Sequence, residues 1–232
     1  MKKIERTALW YQDGDCELLD LDKRYFAMSV LLNRLLNDVY VGKKIKFINL
    51  FFLTEKTYRL HPETKVGSSH FYGGHLQHND VFDVARFLEM AESEQDQFMW
   101  GRAHEVLCRA AKATKNMPLL EAADYAYTTG MATGMDPDYR MLEADVVLRG
   151  LSLKAAVWVR FRKDGMYSSL TLEKDGAIVF ERPIDRTDNG VEFFLEMYKR
   201  LDVDGNDVIV KCARDVSYSP LRVSITPSDL GE

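Results

Sequence analysis

The spacing of apolar residues near the start of the chain predicts a strand, a helix and a second strand. Residues 4–11 are predicted to form the first strand. Residues 23–41 are predicted to form a helix, because apolar residues recur there at the spacing of one helical face. Residues 45–53 are predicted to form a strand buried on both faces, since their apolar residues do not alternate with polar ones.

The middle of the chain is predicted to become helical after an irregular segment. Residues 54–79 show no sustained period and contain proline and glycine, which indicates irregular or weakly extended structure. Apolar spacing then indicates three helices, near 81–88, 98–110 and 119–133. Pro118 suits the first turn of the third helix, and Gly134 suits its end.

The last part of the chain shows mainly the alternation that is typical of strands. Asp164-Gly165 and Asp175-Gly176 are hairpin-turn signals. Residues 188–201 carry apolar residues on one helical face and are predicted to form a helix. The predicted strands of this part lie at 153–163, 166–173, 177–182, 207–213 and 220–226.

Segregated blocks of helices and strands indicate an α+β fold with antiparallel sheet. The order predicts a central helical block and a C-terminal unit made of a β-meander, a helix and two strands. We expect a single domain over residues 1–232, with a helix-rich sub-lobe at 1–135 and a strand-rich sub-lobe at 136–232. The boundary between them is predicted in the loop Asp136-Pro137-Asp138.

Composition narrows the class of protein. The chain is 46% hydrophobic and 29% charged, as expected for a folded protein, and its longest apolar stretch is too short for a membrane span. The three cysteines are widely spaced without a CxxC pair, which favours the reducing cytosol over a disulfide framework. The net charge of −5 and the lack of a long basic run disfavour nucleic acid and favour a basic protein partner.

Three of the five histidines lie within nine residues, at His70, His75 and His78. Three imidazoles that converge, with Asp80 as a fourth group, could bind zinc or iron. The alternative is an exposed, mobile loop into the helix near Val81, with Asn79 or Asp80 as its N-cap. No known metal-site spacing is matched, so the sequence favours the loop and the cap, and no cofactor is predicted.

A second pair of candidate ligands lies on a predicted helix. His104 and Cys108 are one helical turn apart and could share a metal ion, although a small core residue is the favoured role for Cys108. The small residues from Gly130 to Gly134 predict close helix packing or a helix end. The chain has no nucleophile elbow and no phosphate-binding glycine motif.

Acidic residues cluster after the first predicted strand, and exposed aromatic residues beside them would form a docking surface for a basic partner. The residues predicted to bind such a partner are Asp13, Asp15, Glu17, His70, Tyr72, His75 and His78.

These features together predict a non-catalytic cytosolic binding or inhibitor protein that blocks a basic site on its partner. Bacterial toxin-immunity proteins have this profile: an acidic chain with a full aromatic core and without a catalytic motif. The alternative prediction is a metal-dependent hydrolase with a site made of His70, His75 and His78, in which the metal would activate a water molecule.

Overall fold

The computed structural model describes residues 3–212 and 221–230. The chain divides into two compact units, residues 1–137 and 138–232. The division falls in the loop that the sequence identifies as the internal boundary.

The first unit contains a mixed five-stranded sheet and six helices among its described residues. In chain order its elements are β1 (Arg6–Asp13), β2 (Cys16–Glu17), α1 (Leu19–Arg24), α2 (Phe26–Val39), β3 (Phe47–Leu53), α3 (Glu55–Leu60), β4 (Ser69–Tyr72), β5 (His75–Val81), α4 (Val84–Leu88), α5 (Glu92–Ala113) and α6 (Met117–Ala132).

The sheet of the first unit has the strand order β2-β1-β3-β5-β4. Its three central strands are parallel, and the short strands β2 and β4 join the two edges in antiparallel orientation. The parallel centre explains why β3 is apolar on both faces and reads as a continuous hydrophobic run.

Helices α2, α5 and α6 contribute to one hydrophobic core with one face of this sheet. Leu9, Leu50 and Leu76 belong to this face and are all buried. His78 and Asp80 follow Leu76 at intervals of two along β5, so their side chains point to the same face. The strand period therefore places two polar side chains of β5 inside the core, toward the helices.

The second unit consists of two antiparallel sheets. Its strands are β6 (Tyr139–Leu148), β7 (Leu151–Arg162), β8 (Gly165–Lys174), β9 (Ala177–Thr187), β10 (Tyr198–Asp204), β11 (Asp207–Cys212) and β12 (Leu221–Ser224). Strands β7 to β9 form the predicted three-stranded meander, and β6 pairs with β7 as a fourth strand of the same sheet. Asp175 and Gly176 both have positive φ angles, +51° and +82°, as the turn predicted between β8 and β9 requires.

The α+β class, with helices and antiparallel sheets, is confirmed, and two element predictions within it are wrong. The helix predicted at 188–201 is a short 3₁₀ turn (Glu192–Leu195) followed by β10, which pairs with β11. The segment 54–79 contains α3, β4 and part of β5. The two strands predicted last correspond to β11 and β12, while residues 213–220 lie outside the described part.

The predicted helix cap is also wrong. Asn79 and Asp80 lie within β5, and the helix after it begins at Val84. Asp83 is the N-cap, because its Oδ1 accepts a hydrogen bond from the Arg86 backbone N–H at 3.0 Å.

Candidate functional site

The histidine-rich segment is a β-hairpin rather than a loop. Gly73 and Gly74 have φ angles of +59° and +91° and form the two-residue turn between β4 and β5, where Tyr72 pairs with His75. A glycine pair is one of the sequences that this turn favours, so the flanking segments were recognisable as a hairpin. Because these residues form paired strands, the prediction of a mobile loop leading into the helix near Val81 is wrong.

The hairpin separates the three imidazoles. His70 pairs with Gln77, and Gln77 lies on the same face of β5 as His75. His78 is three residues from His75 and points to the opposite face, into the core. A spacing of three brings side chains together on a helix but sets them on opposite faces of a strand, so His70, His75 and His78 cannot form the predicted metal site.

His78 is completely buried and is not part of any partner-binding surface. Its Nδ1 lies 2.8 Å from Ser69 Oγ, while its Nε2 has no hydrogen-bond partner among the described residues. Burial lowers the pKa of His78, and the nearby positive charge of Arg109 lowers it further. His78 is therefore a neutral core residue held by Ser69.

Asp80 is an ion-pair residue of the core and belongs neither to a metal site nor to a helix cap. Its side chain is 1% exposed, and Oδ2 accepts a hydrogen bond from Arg102 and forms an ion pair with Arg109, both on α5. Arg109 Nη2 lies 2.9 Å from this oxygen. The two guanidinium groups compensate the buried carboxylate and tie α5 to β5.

The acidic candidates lie at the other edge of the sheet. Asp13 Oδ1 accepts a hydrogen bond from Thr54 Oγ1 at 2.7 Å, and Asp13 Oδ2 lies 3.1 Å from Lys56 Nζ. The hydrogen bond from Thr54 has the largest effect in lowering the pKa of Asp13, and the hydrogen bond from Lys56 lowers this pKa further. Asp15 Oδ1 lies 2.8 Å from His61 Nε2. Both carboxylates are thus held by neighbouring side chains of the same unit.

Glu17 on β2 and Tyr72 on β4 belong to opposite edge strands of the five-stranded sheet. At about 4.8 Å per strand, the two edges are roughly 19 Å apart. The acidic and aromatic candidates therefore do not form the single surface that the sequence predicted. His70, Tyr72 and His75 do share one exposed face of the hairpin, and Tyr72 is 88% exposed.

A different group of metal-ligating side chains does converge, between α5 and α6. His104 and Cys108 lie one turn apart on α5, and Asp124 lies on the facing helix α6. His104 Nε2 is 2.8 Å from Asp124 Oδ1 and 3.3 Å from Cys108 Sγ. Cys108 Sγ is 3.6 Å from the same Asp124 oxygen. We call these three residues the interhelical triad.

Packing of the two helices orients this triad. The His104 ring stacks on Tyr127 of α6, with ring centroids 4.5 Å apart and planes inclined by 20°. His104 and Cys108 are partly buried and Asp124 is exposed. The triad opens to a surface groove of about 500 Å³, which is also lined by Glu105, Arg109, Lys112 and Leu120. A ligand from solvent can therefore reach the triad.

The electrostatics of the triad do not suit a cysteine nucleophile. Burial, and after it the nearby Asp124 carboxylate, raise the pKa of Cys108 to about 11. In a catalytic dyad the thiol pKa would be lowered, because the thiolate is the reactive form. Cys108 and Asp124 also approach the same nitrogen of His104, whereas a triad that activates a nucleophile uses both ring nitrogens.

Sequence reasoning identified two members of the triad and missed the third. The helical spacing of His104 and Cys108 is visible in the sequence, but Asp124 comes from a separate helix and nothing local marks it. The pairing of Ser69 with His78 was missed for the same reason, since it depends on the register of β4 against β5.

Comparisons with protein-family models, curated proteins and solved structures found no match to this chain. In the described part of the chain, none of the helices combines the length and the apolar character needed to cross a bilayer.

Proposed function

We propose that the first unit binds a transition-metal ion, with zinc as the best fit, through His104, Cys108 and Asp124. The supporting observation is the convergence of an imidazole nitrogen, a thiol sulfur and a carboxylate oxygen, with separations of 2.8, 3.3 and 3.6 Å. Zinc–ligand bonds of about 2.0–2.3 Å in tetrahedral geometry put such atoms about 3.3–3.5 Å apart. Small side-chain movements would therefore adapt the triad to the ion.

The charges of the triad also suit zinc. A Cys108 thiolate and the Asp124 carboxylate together neutralise a divalent cation, and neutral His104 adds a third donor. Three protein ligands leave the fourth tetrahedral position open, which is the arrangement of catalytic zinc sites. The three side chains line the groove, so a water molecule or a group from a substrate or partner that enters it could supply the fourth ligand.

Metal titration tests this proposal. The protein is stripped with a chelator and titrated with zinc in competition with a chromophoric chelator, and cobalt is used to detect a thiolate-to-metal absorption band. We expect one equivalent to bind, with a loss of at least about tenfold in affinity in Cys108→Ser and Asp124→Asn. Cys16→Ser removes an exposed cysteine remote in sequence from the triad and serves as the control. Substoichiometric binding, or equal affinity in all three variants, would refute the proposal.

A second proposal retains the cytosolic binding or inhibitor function, exemplified by toxin-immunity proteins. It is supported by the exposed face of the β4–β5 hairpin, where His70, Tyr72 and His75 lie together and Tyr72 is 88% exposed. Large exposed aromatic side chains are typical anchors of protein interfaces. All three cysteines have free thiols, which supports the proposed reducing cytosol.

Capture from the native host distinguishes the two candidate surfaces of this second proposal. A partner bound through the hairpin should be lost in Tyr72→Ala and retained in Glu17→Gln, which changes the opposite edge of the sheet. Loss only in Glu17→Gln would move the interface to the acidic edge. Failure of the wild-type protein to retain any stable partner would count against the proposal as a whole.

A further inference from the structure

A second groove of the first unit, separate from the triad, has a concentration of positive charge. It encloses about 360 Å³ and lies where the end of α2, strand β4 and the turn between α5 and α6 meet. Its lining includes Tyr40, Gly42, Lys43, Lys44, Phe71 and Lys115. It shares no lining residue with the groove at the triad.

The lysines of this groove have no ion-pair partner within the described part of the chain. Lys43, Lys44 and Lys115 are exposed, and none forms an ion pair with another described residue. Among residues 3–212 and 221–230, no acidic residue lines the groove. Because the chain as a whole carries a net charge of −5, three uncompensated ammonium groups at one concavity mark it as a local site for an anion.

The backbone adds to the positive potential. Asn116 and Pro118, at the start of the 16-residue helix α6, also line the groove. The first turn of a helix carries a partial positive charge, which favours anions. The Leu119 N–H is already capped by Asn116 Oδ1 at 3.2 Å and Pro118 has no N–H, so the contribution of this helix start is its dipole. Lys115 just before it has a φ angle of +52°, a conformation that costs energy for any residue other than glycine.

An independent observation comes from Tyr40. Its side chain is 1% exposed, and its hydroxyl is buried without a hydrogen-bond partner among the described residues. The hydroxyl lies against Gly42, where an added Cβ would be 2.2 Å from Oη. A buried hydroxyl without a partner costs about 1–3 kcal/mol. A ligand oxygen in the groove would remove this cost by accepting its hydrogen bond, once the backbone at Gly42 moves aside to open the way to the hydroxyl.

We infer that this groove binds a small organic anion, with a phosphate or carboxylate group among the lysines and the Tyr40 hydroxyl. Phe71, which is 44% exposed, supplies an apolar surface for the remainder of the ligand. The volume is within the range of small-molecule sites, at the lower end. This inference is independent of the proposed zinc site, and metal-free protein is sufficient to test it.

Four probes, each titrated calorimetrically, distinguish which chemical groups of a ligand the groove binds. They are phenyl phosphate, benzoate, inorganic phosphate and phenol. We expect phenyl phosphate or benzoate to bind more tightly than inorganic phosphate, and phenol not to bind. Tighter binding of phenyl phosphate than of benzoate would assign a phosphate group to the ligand. Tighter binding of benzoate would assign a carboxylate group. Affinity should fall as salt is added, because exposed charges are screened. No binding of either aromatic anion at millimolar concentration would overturn the inference.

Variants test whether the groove is responsible. Lys43→Gln combined with Lys44→Gln should weaken anion binding at least about tenfold, which corresponds to about 1.4 kcal/mol of binding free energy. Lys23→Gln combined with Lys65→Gln removes the same net charge elsewhere and should leave the affinity unchanged. Equal affinities in the two double variants would overturn the inference.

Tyr40→Phe tests the hydroxyl without removing the aromatic ring. We expect weaker anion binding together with unchanged or increased resistance to urea, because the variant removes a buried polar atom without a partner. Because this variant should remain folded, unchanged anion affinity would contradict the role assigned to the hydroxyl and overturn the inference.

Discussion

Trp100 on α5 fills the space that a side chain at Gly130 on α6 would need. A Cβ added to Gly130 would lie 2.2 Å from Cζ2 of Trp100, which is itself 1% exposed. The Trp100 Nε1–H donates a hydrogen bond to the Tyr127 carbonyl at 3.2 Å. This contact sets the spacing of the two helices that carry the interhelical triad. The close packing predicted from the small residues is therefore confirmed at Gly130.

Gly130→Ala should destabilise the first unit and disturb the triad. The added methyl group would displace a buried indole ring, and overpacking of this kind costs about 1–3 kcal/mol. Urea unfolding would measure this loss, and zinc titration should show weaker binding because α5 and α6 are forced apart.

Gly101→Ala is the matched control for that change. Gly101 is also helical, but nothing lies within 4 Å of a Cβ added there. Alanine should stabilise the protein by up to about 1 kcal/mol, because glycine is the poorer helix former. Equal effects of the two substitutions would show that Trp100 and Gly130 do not determine the helix spacing.

Zinc affinity should rise with pH. The pKa of Cys108 is raised to about 11, so the thiol is protonated in the metal-free protein near neutrality and must lose its proton on binding. The apparent association constant should increase about tenfold per pH unit between pH 7 and 9, since one proton is released. Competition titrations in buffers of matched ionic strength would measure this slope, and a flat profile would exclude Cys108 as a ligand.

Asp80→Asn should destabilise the first unit more than removal of an exposed carboxylate. The variant leaves Arg102 and Arg109 without their common partner next to the core. We expect a loss of about 2–3 kcal/mol, smaller than for a fully buried pair because both guanidinium groups reach solvent. Asp15→Asn affects an exposed pair and should cost less than about 1 kcal/mol in the same urea experiment.

His78 should contribute to acid sensitivity. Burial lowers the pKa of His78 below 6.5, its ordinary value, so the unfolded chain takes up this proton at higher pH than the folded protein. Stability from this residue is present above pH 6.5 and is lost as the pH falls through the folded pKa. The slope for one proton does not exceed about 1.4 kcal/mol per pH unit.

His78→Gln removes the titrating group and retains an amide that can bond to Ser69. Its unfolding free energy should decrease less between pH 7 and 5 than that of the wild-type protein. His70→Gln changes an exposed histidine of the same hairpin and should leave the wild-type pH dependence intact. A parallel pH profile for wild type and His78→Gln would show that another group causes the acid sensitivity.

The sequence determined the elements whose periodicity is long and whose turns have distinctive residues. The meander of the second unit was predictable because Asp175-Gly176 fixes a hairpin and the strands around it are long. The helical spacing of His104 and Cys108 was also visible. Residues 188–201 show how a short apolar pattern fits a helix, although pairing with β11 selects a strand.

Only the tertiary structure decided which polar side chains meet. Asp124 reaches His104 because α6 packs against α5 at Gly130, and His78 turns away from His75 because the hairpin register sets the face of each residue. Lys43 and Lys115 are 72 positions apart in the sequence and line one groove. Local propensity depends on neighbouring residues along the chain, whereas a binding site depends on distances across it, and these are set by packing.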